Sequence, residues 1–323
     1  MQTMFIVKLR KKLCCFTAFQ FVILLLIFNS CSIRITEKTI LGNYYKIPYD
    51  STRISRYIKN ISDSSFVAAI KTLPNKKINI LYKDDNLTII RDYTFINDTV
   101  SLEYFVFLPQ NITQTVYVFC GYGELSIGIF QNIMKLAKNN NAKVICLSYS
   151  GYGNSTGAFS INKQFGYNQI FYEKLKTENI GNLSIIGYSM GSLYATSLAV
   201  DNHVDNLILL APISDGKDFL KYMKHSNTKG IYKLFSPFIK LNVEDNLMKI
   251  SNVEKLQKFE GNVELFHAKD DRTLPFTMSE KLYQSSISSN KNLTFFDTGG
   301  HAASFQKENW DKIVELIFSK TGN

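Results

Sequence analysis

A serine between two glycines is the feature of this chain with the clearest chemical meaning. Gly187, Ser189 and Gly191 form a Gly-x-Ser-x-Gly motif that follows an apolar run at 183–186 and precedes a helix-forming run. A sharp strand-to-helix turn of this kind needs glycines, because side chains would block it, and it exposes the serine hydroxyl. With 17 glycines in the chain, a chance match is expected in roughly one of ten such sequences, so the placement between strand and helix carries the prediction that Ser189 is a nucleophile.

A serine hydroxyl needs a base to remove its proton, and the chain offers four histidines. His301 follows two glycines after the last predicted strand, so a flexible loop could aim its ring at the edge of the sheet. We therefore predict His301 as the base. His267 ends a predicted strand, which favours a role in the core or in support of the site. His203 and His225 lie among polar residues and are predicted to be surface residues.

The carboxylate that orients the base is expected after the predicted strand at 263–266, which gives the chain order Ser, Asp, His. Asp270 and Asp271 both qualify. Asp271 begins a turn that ends at Pro275, just before the next predicted helix, and we choose it over Asp270. The alternative for either residue is an ordinary turn or helix-capping aspartate.

Two backbone N–H groups are expected to bind the oxyanion that forms during acyl transfer. We predict the amide of Met190, directly after the serine, as the first. The amide of Tyr122 is predicted as the second, because Gly121 and Gly123 on either side allow the backbone to approach closely. The alternative for residues 120–123 is a plain turn.

Beyond Pro109, short apolar runs alternate with segments whose apolar residues recur at helical spacing. Continuous apolar runs are typical of strands buried on both faces. The predicted strands lie at 116–120, 143–147, 183–186, 207–210, 263–266 and 293–296. The predicted helices lie at 129–138, 165–178, 192–200, 276–285 and 306–318. This alternation predicts an α/β fold with a mostly parallel, doubly wound sheet.

Two β-rich runs precede this pattern, at 87–96 and 100–108. They are separated by a polar turn around Asn97 and Asp98. Such a pair of runs predicts an N-terminal antiparallel hairpin.

The chain divides into three predicted parts. Residues 1–31 are predicted as a signal sequence, 32–84 as a tether with short helices such as 62–73, and 85–323 as the α/β domain. Within that domain, 212–262 is a longer connection that mixes aromatic residues with lysines. It is either a small lid or a set of ordinary helices that pack on the core.

The N-terminus has the order of a secretory signal. Basic residues at 8–12 precede an apolar run at 13–28, which is short for a membrane span. Ser30 and Cys31 partly match the site at which a bacterial lipoprotein is cleaved and lipidated. The expected location is thus the cell envelope, with membrane association through a lipidated Cys31 or an uncleaved anchor; otherwise the protein is secreted.

Charge and cysteine content exclude several classes of function. The formal net charge is +10, and without the four cations of the first thirty residues 33 bases face 27 acids. The lysines are scattered rather than clustered with aromatics, so no nucleic-acid partner is expected.

Outside the N-terminal region only Cys120 and Cys146 remain among the cysteines, each at the end of an apolar run. They are predicted to be small buried residues rather than a bridge. We expect no metal site and no cofactor.

Together, these residues resemble the α/β-hydrolase superfamily, and in particular its serine-aminopeptidase-like and acyl-protein-thioesterase-like branch. The resemblance covers roughly residues 85–318 and is carried by 119–123, 149–157, 187–191 and 267–275 with 300–301. The Gly-Tyr-Gly-x-Ser-x-Gly stretch at 151–157 is its most diagnostic part, and the resemblance implies that it shapes the rim of the pocket. Cys120 and Ser150 stand where members often have histidine and arginine, so no substrate contact through such an arginine is carried over.

Members of this superfamily cleave esters, thioesters or peptides. The resemblance and the motifs together predict a metal-independent serine hydrolase that acts through Ser189, His301 and Asp271 on a small-molecule or acylated substrate. A carboxylic ester or thioester is the favoured bond. The alternatives are a serine peptidase of the same fold and a non-catalytic envelope protein that binds a lipid or a partner.

Overall fold

The computed structural model of this chain describes residues 32–42, 44–59, 61–227 and 240–318. The predicted signal sequence at 1–31, including Cys31, lies outside the described residues, as does the part of the predicted lid at 228–239. Among the described residues, no helix is long and apolar enough to cross a membrane.

A nine-stranded sheet forms the centre of the molecule, in the order β11-β10-β8-β7-β5-β6-β4-β3-β2. A second, small sheet pairs β1 with β9 in parallel. The strands are β1 Ser32–Ile35, β2 Ile80–Lys83, β3 Leu87–Phe95, β4 Ser101–Pro109, β5 Gln114–Phe119, β6 Ala142–Leu147, β7 Asn182–Tyr188, β8 Asn206–Leu210, β9 Lys240–Val243, β10 Asn262–Ala268 and β11 Lys291–Phe296.

In the described part of the chain, helices precede the nine-stranded sheet, alternate with its parallel strands and follow its last strand. They are α1 Glu37–Leu41, α2 Ser51–Ile58, α3 Ser64–Lys71, α4 Phe130–Asn139, α5 Ile161–Leu175, α6 Gly191–Asp201, α7 Gly216–Asn227, α8 Asp245–Met248, α9 Asn252–Leu256, α10 Thr277–Ser285 and α11 Lys307–Phe318. The region 32–84, expected to be a tether with short helices, therefore contains three helices and two strands.

Strand direction confirms the predicted fold class. β5, β6, β7, β8, β10 and β11 pair in parallel, while β3 and β4 form the predicted antiparallel hairpin from Leu87↔Pro109 to Phe95↔Ser101. The hairpin turn is closed by the Asn97 side chain, whose Oδ1 accepts hydrogen bonds from the N–H groups of Thr99 (3.0 Å) and Val100 (2.9 Å). A side-chain bond of this kind is the reason that asparagine favours turns.

Burial explains why the central strands are apolar along their whole length. Every residue of β5, β6 and β8 is buried, because helices cover both faces of a parallel sheet. The predicted helices lie close to the observed ones, with one shift at the start of α5. This helix begins at Ile161 rather than 165, because the Ser160 hydroxyl caps it by accepting a hydrogen bond from the Lys163 N–H (3.3 Å).

Candidate active site

Ser189 occupies a tight turn between β7 and α6. Its φ angle is +52°, a conformation that residues other than glycine adopt rarely. The flanking glycines are required by space: a Cβ on Gly187 would lie 2.6 Å from Ala195 Cβ, and one on Gly191 would lie 2.1 Å from the Phe119 carbonyl oxygen. Strain of this kind is often found at functional sites, where the surrounding structure holds it in place.

Three predicted site residues form a hydrogen-bonded series. His301 Nε2 lies 2.9 Å from Ser189 Oγ, and His301 Nδ1 lies 2.7 Å from Asp271 Oδ2. An ionised carboxylate can only accept, so Nδ1 carries the proton and the Nδ1–H group donates a hydrogen bond to Asp271. Nε2 of the neutral ring is then free to accept the hydrogen bond of the serine hydroxyl.

The two neighbouring aspartates have different partners. Asp271 is buried, and its Oδ1 accepts hydrogen bonds from the N–H groups of Thr273 (2.7 Å) and Leu274 (3.1 Å). Asp270 instead accepts from the N–H groups of Gly299 (3.2 Å) and Gly300 (2.8 Å). Asp270 therefore holds the loop that carries His301, while Asp271 contacts its ring.

His267 is a second imidazole on Asp271. Its Nε2 lies 3.1 Å from Asp271 Oδ2 and 3.2 Å from the Leu274 carbonyl oxygen, and its Nδ1 lies 2.7 Å from Ser279 Oγ. Both partners of Nε2 are acceptors, so Nε2 carries the proton and Nδ1 accepts from the Ser279 hydroxyl. This fully buried histidine thus lies in the core and in contact with the site, as the sequence favoured.

The surroundings of Asp271 keep it ionised. Burial alone would raise its pKa, but hydrogen bonds from His267 and His301 outweigh burial, and the pKa lies well below its usual range. A permanent negative charge at this position favours the protonated form of His301, which must appear when the ring accepts the serine proton.

The two predicted oxyanion residues both line the cavity above Ser189. Met190 is the N-cap residue of α6, so its amide belongs to the turn at the positive end of the helix dipole. Tyr122 follows Gly121, where a Cβ would lie only 3.0 Å from Tyr188 Cε1. The strand end before this loop is held by the Tyr149 hydroxyl, which donates to the Cys120 carbonyl oxygen at 2.7 Å.

Cys120 and Cys146 are buried free thiols whose sulfur atoms lie 3.9 Å apart.

The stretch 149–157 contributes no lining residue to the cavity in the described part of the chain. It was expected to shape the rim; instead its backbone binds the N-terminal segment, through Ile47 paired with Tyr152.

A cavity of about 430 Å³ opens on Ser189 and His301. Most of its wall is aliphatic or aromatic, and part of it comes from Ile40 and Leu41, in the region that the sequence presented only as a tether. Glu124 also lines the cavity, and no sequence motif marks it. Burial raises the pKa of Glu124, while the charge that His301 carries when protonated acts in the opposite direction.

Comparisons with known proteins support the fold. The family model described as serine aminopeptidase, S33, matches residues 110–262. Similar solved structures include the esterase Pf2001 from Pyrococcus furiosus, with a TM-score of 0.58 and 16% identity over 72% of this chain and 90% of that one. Others are the α/β-hydrolase domain-containing protein 10 from mouse (TM-score 0.53, 16% identity, 72% and 98% coverage) and acetyl xylan esterase 1 from Thermoanaerobacterium (0.55, 10%, 86% and 100%).

No curated protein sequence is significantly similar to the chain. The structural neighbours nevertheless define the architecture: the chain has the α/β-hydrolase fold, and over residues 110–262 it is similar to the serine aminopeptidase family. The matched family and the esterases among the structural neighbours are themselves hydrolases.

Proposed function

We propose that the protein is a serine hydrolase that cleaves carboxylic ester or thioester bonds through an acyl-enzyme. The observation that carries this proposal is the hydrogen-bonded series Ser189–His301–Asp271, which opens on a largely apolar cavity. Each member has the partner that its role requires.

The geometry supports a two-step reaction. Ser189 Oγ attacks the carbonyl carbon of the substrate while its proton moves to His301 Nε2, and the amides of Tyr122 and Met190 bind the resulting oxyanion. Collapse of this intermediate breaks the bond to the alcohol or thiol, which leaves with the proton from His301. A water molecule then attacks the acyl-serine by the same route, releasing the carboxylic acid and restoring Ser189.

A serine aminopeptidase of the same fold is a second candidate. It is favoured by the family model that matches 110–262 and by Glu124, a carboxyl group in the cavity wall that could pair with a substrate ammonium. The largely apolar character of the remaining wall favours an acyl group, because apolar substituents gain most from leaving water there.

Hydrolysis of p-nitrophenyl butyrate and of an aminoacyl p-nitroanilide by the purified protein tests both candidates. We expect the wild-type protein to cleave the ester and the Ser189→Ala variant to be inactive. The Ser197→Ala variant should remain active, because Ser197 lies on the helix that follows Ser189 but outside the site. Cleavage of the anilide alone would favour the aminopeptidase. Full ester hydrolysis by Ser189→Ala would overturn the proposal.

A further inference from the structure

The segment between β1 and α2 crosses the molecule as a strap, defined here as residues 36–49 without the undescribed 43. Its first end is held beside β9, with which β1 pairs from Ser32↔Lys240 to Ile35↔Val243. Glu37 then fixes it: its N–H donates to Glu244 Oε2 (3.1 Å), and its carboxylate accepts from the side-chain amide of Asn162 (3.1 Å) and from the Ile161 N–H. The strap is thus bonded to the start of α5.

The second end of the strap is clamped by the glycine-rich loop at 149–157. The Ile47 N–H donates to the Gly151 carbonyl oxygen (2.9 Å), and the Ile47 carbonyl oxygen accepts from the Gly153 N–H (2.8 Å). The backbone approaches so closely that a Cβ on Gly151 would lie 2.6 Å from the Tyr45 carbonyl oxygen. The most diagnostic motif of the sequence therefore serves to hold the strap.

Between its two ends, the strap forms part of the substrate cavity. Ile40 and Leu41 line the cavity, and Leu41 is only 4% exposed. The Tyr122 hydroxyl donates to the Leu41 carbonyl oxygen, and the ring of Tyr44 meets the ring of Tyr122 edge-on at 5.4 Å. The strap therefore contacts the residue whose amide is assigned to the oxyanion.

The rest of the cavity wall is largely apolar as well, although Arg272 and Thr273 also line it. Leu193, Ile213, Phe219 and Leu247 line it. A volume of about 430 Å³ lies within the usual range of small-ligand pockets. Each methylene group of an acyl chain buried against such a wall strengthens binding by about fourfold, so the cavity favours long acyl groups over short ones.

The strap also lies near the predicted membrane attachment. Ile40 is nine residues after Cys31, and a chain of that length spans at most roughly 30 Å even when fully extended. α1 shortens this span further, because a helix rises only about 1.5 Å per residue. An anchor at residues 13–31 would hold the cavity within reach of the membrane surface.

We infer that the strap is the membrane-facing wall of an acyl-chain site, and that the substrate is a long-chain acyl ester drawn from the membrane. The inference rests on the proposed serine hydrolase activity. It assigns a binding role to residues 36–49 and names the acyl chain, rather than the leaving group, as the part of the substrate that they recognise.

The acyl-chain role is tested by the ratio of kcat/KM for p-nitrophenyl decanoate to that for p-nitrophenyl acetate in the full chain. We expect Ile40→Asn to lower this ratio at least tenfold, because a polar side chain then faces the acyl chain. The matched control is Ile180→Asn, an isoleucine that is 41% exposed and does not line the cavity; its ratio should equal that of the wild type. A ratio within twofold of wild type for Ile40→Asn would overturn the role of the strap.

The membrane source is tested with 4-methylumbelliferyl palmitate in phosphatidylcholine vesicles, with the full chain inserted in the same vesicles. We expect faster cleavage than with the same enzyme in detergent micelles at equal ester content. Cleavage of dissolved esters without cleavage in vesicles would overturn the membrane source while leaving the hydrolase intact. Absence of cleavage of every ester would instead remove the proposed function.

Discussion

Asp271 and Glu103 are both buried carboxylates within reach of basic side chains, yet their surroundings move their pKa values in opposite directions. Asp271 accepts from two imidazoles and two backbone N–H groups, which together outweigh burial and lower its pKa. For Glu103, burial dominates and raises the pKa, although hydrogen bonds from Asn154 and Tyr49 and the charge of Arg91 act against it.

The position of Arg91 explains much of this difference. Its guanidinium lies 3.8 Å from Glu103 Oε1, too far for a hydrogen bond, and it donates instead to carbonyl oxygens such as that of Leu73 at 2.8 Å. Glu103 accepts from the Tyr49 hydroxyl (2.8 Å) and the Asn154 N–H (3.1 Å). Glu103 therefore ties the end of the strap to the glycine-rich loop, whereas Asp271 is kept ionised for the site.

The largest expected effect distinguishes the role of Asp271 in the site from the structural role of Glu103, by the activity of their variants. Asp271→Asn should lower kcat/KM for p-nitrophenyl butyrate by about 10³- to 10⁴-fold, because the amide no longer stabilises a protonated His301 or fixes its tautomer. Glu103→Gln should leave kcat/KM close to the wild-type value, since Glu103 does not line the cavity. Equal losses in the two variants, with both folded by circular dichroism, would contradict the distinction.

The next largest effect distinguishes Glu103 from Asp271 by the free energy of unfolding of their variants. Glu103→Ala should reduce the free energy of unfolding by about 3 kcal/mol, because Arg91 is left buried without its nearby carboxylate and Tyr49 loses its acceptor. Asp271→Asn should cost less, because the amide oxygen can still accept from backbone N–H groups. Urea denaturation followed by fluorescence measures both. A Glu103→Ala variant as stable as the wild type would show that this network does not secure the strap.

The smallest effect concerns His267, which we expect to act as a positioning residue for Asp271. His267→Phe removes a hydrogen bond to a charged group, so kcat/KM should fall about tenfold. Without that bond the pKa of Asp271 rises toward its ordinary value of 3.8. As the pH is lowered, the variant should therefore lose activity at a higher pH than the wild type does. His267→Gln, which keeps a donor, should recover part of the loss; a uniform loss at every pH would indicate a packing role only.

The sequence predicted the sheet because its signals are local. Continuous apolar runs such as 116–120 mark strands buried on both faces, and the turn at Ser189 needs glycines that can be read directly. The order of Ser189, Asp271 and His301 followed from the fold class, and the structure brings these three side chains together. Local rules suffice where one segment determines its own conformation.

The position of the strap in the cavity wall could not be predicted from local sequence signals. Ile40 and Leu41 reach the cavity only because Glu37 bonds to the start of α5, more than a hundred residues later, and because Ile47 pairs with the glycine-rich loop. Its own segment has weak periodicity, so nothing local indicates what it covers. The contact of His267 with Asp271 likewise depends on how the turn after β10 folds back on the strand.

The most direct measurement treats the purified protein with a fluorophosphonate probe and locates the adduct by mass spectrometry, with Ser189→Ala and Ser197→Ala as paired controls. Our account predicts a single adduct on Ser189, which is absent in Ser189→Ala, retained in Ser197→Ala and strongly slowed in Asp271→Asn. A folded wild-type protein that remains unlabelled, or an adduct on another serine, would contradict the assignment of Ser189 as an activated nucleophile.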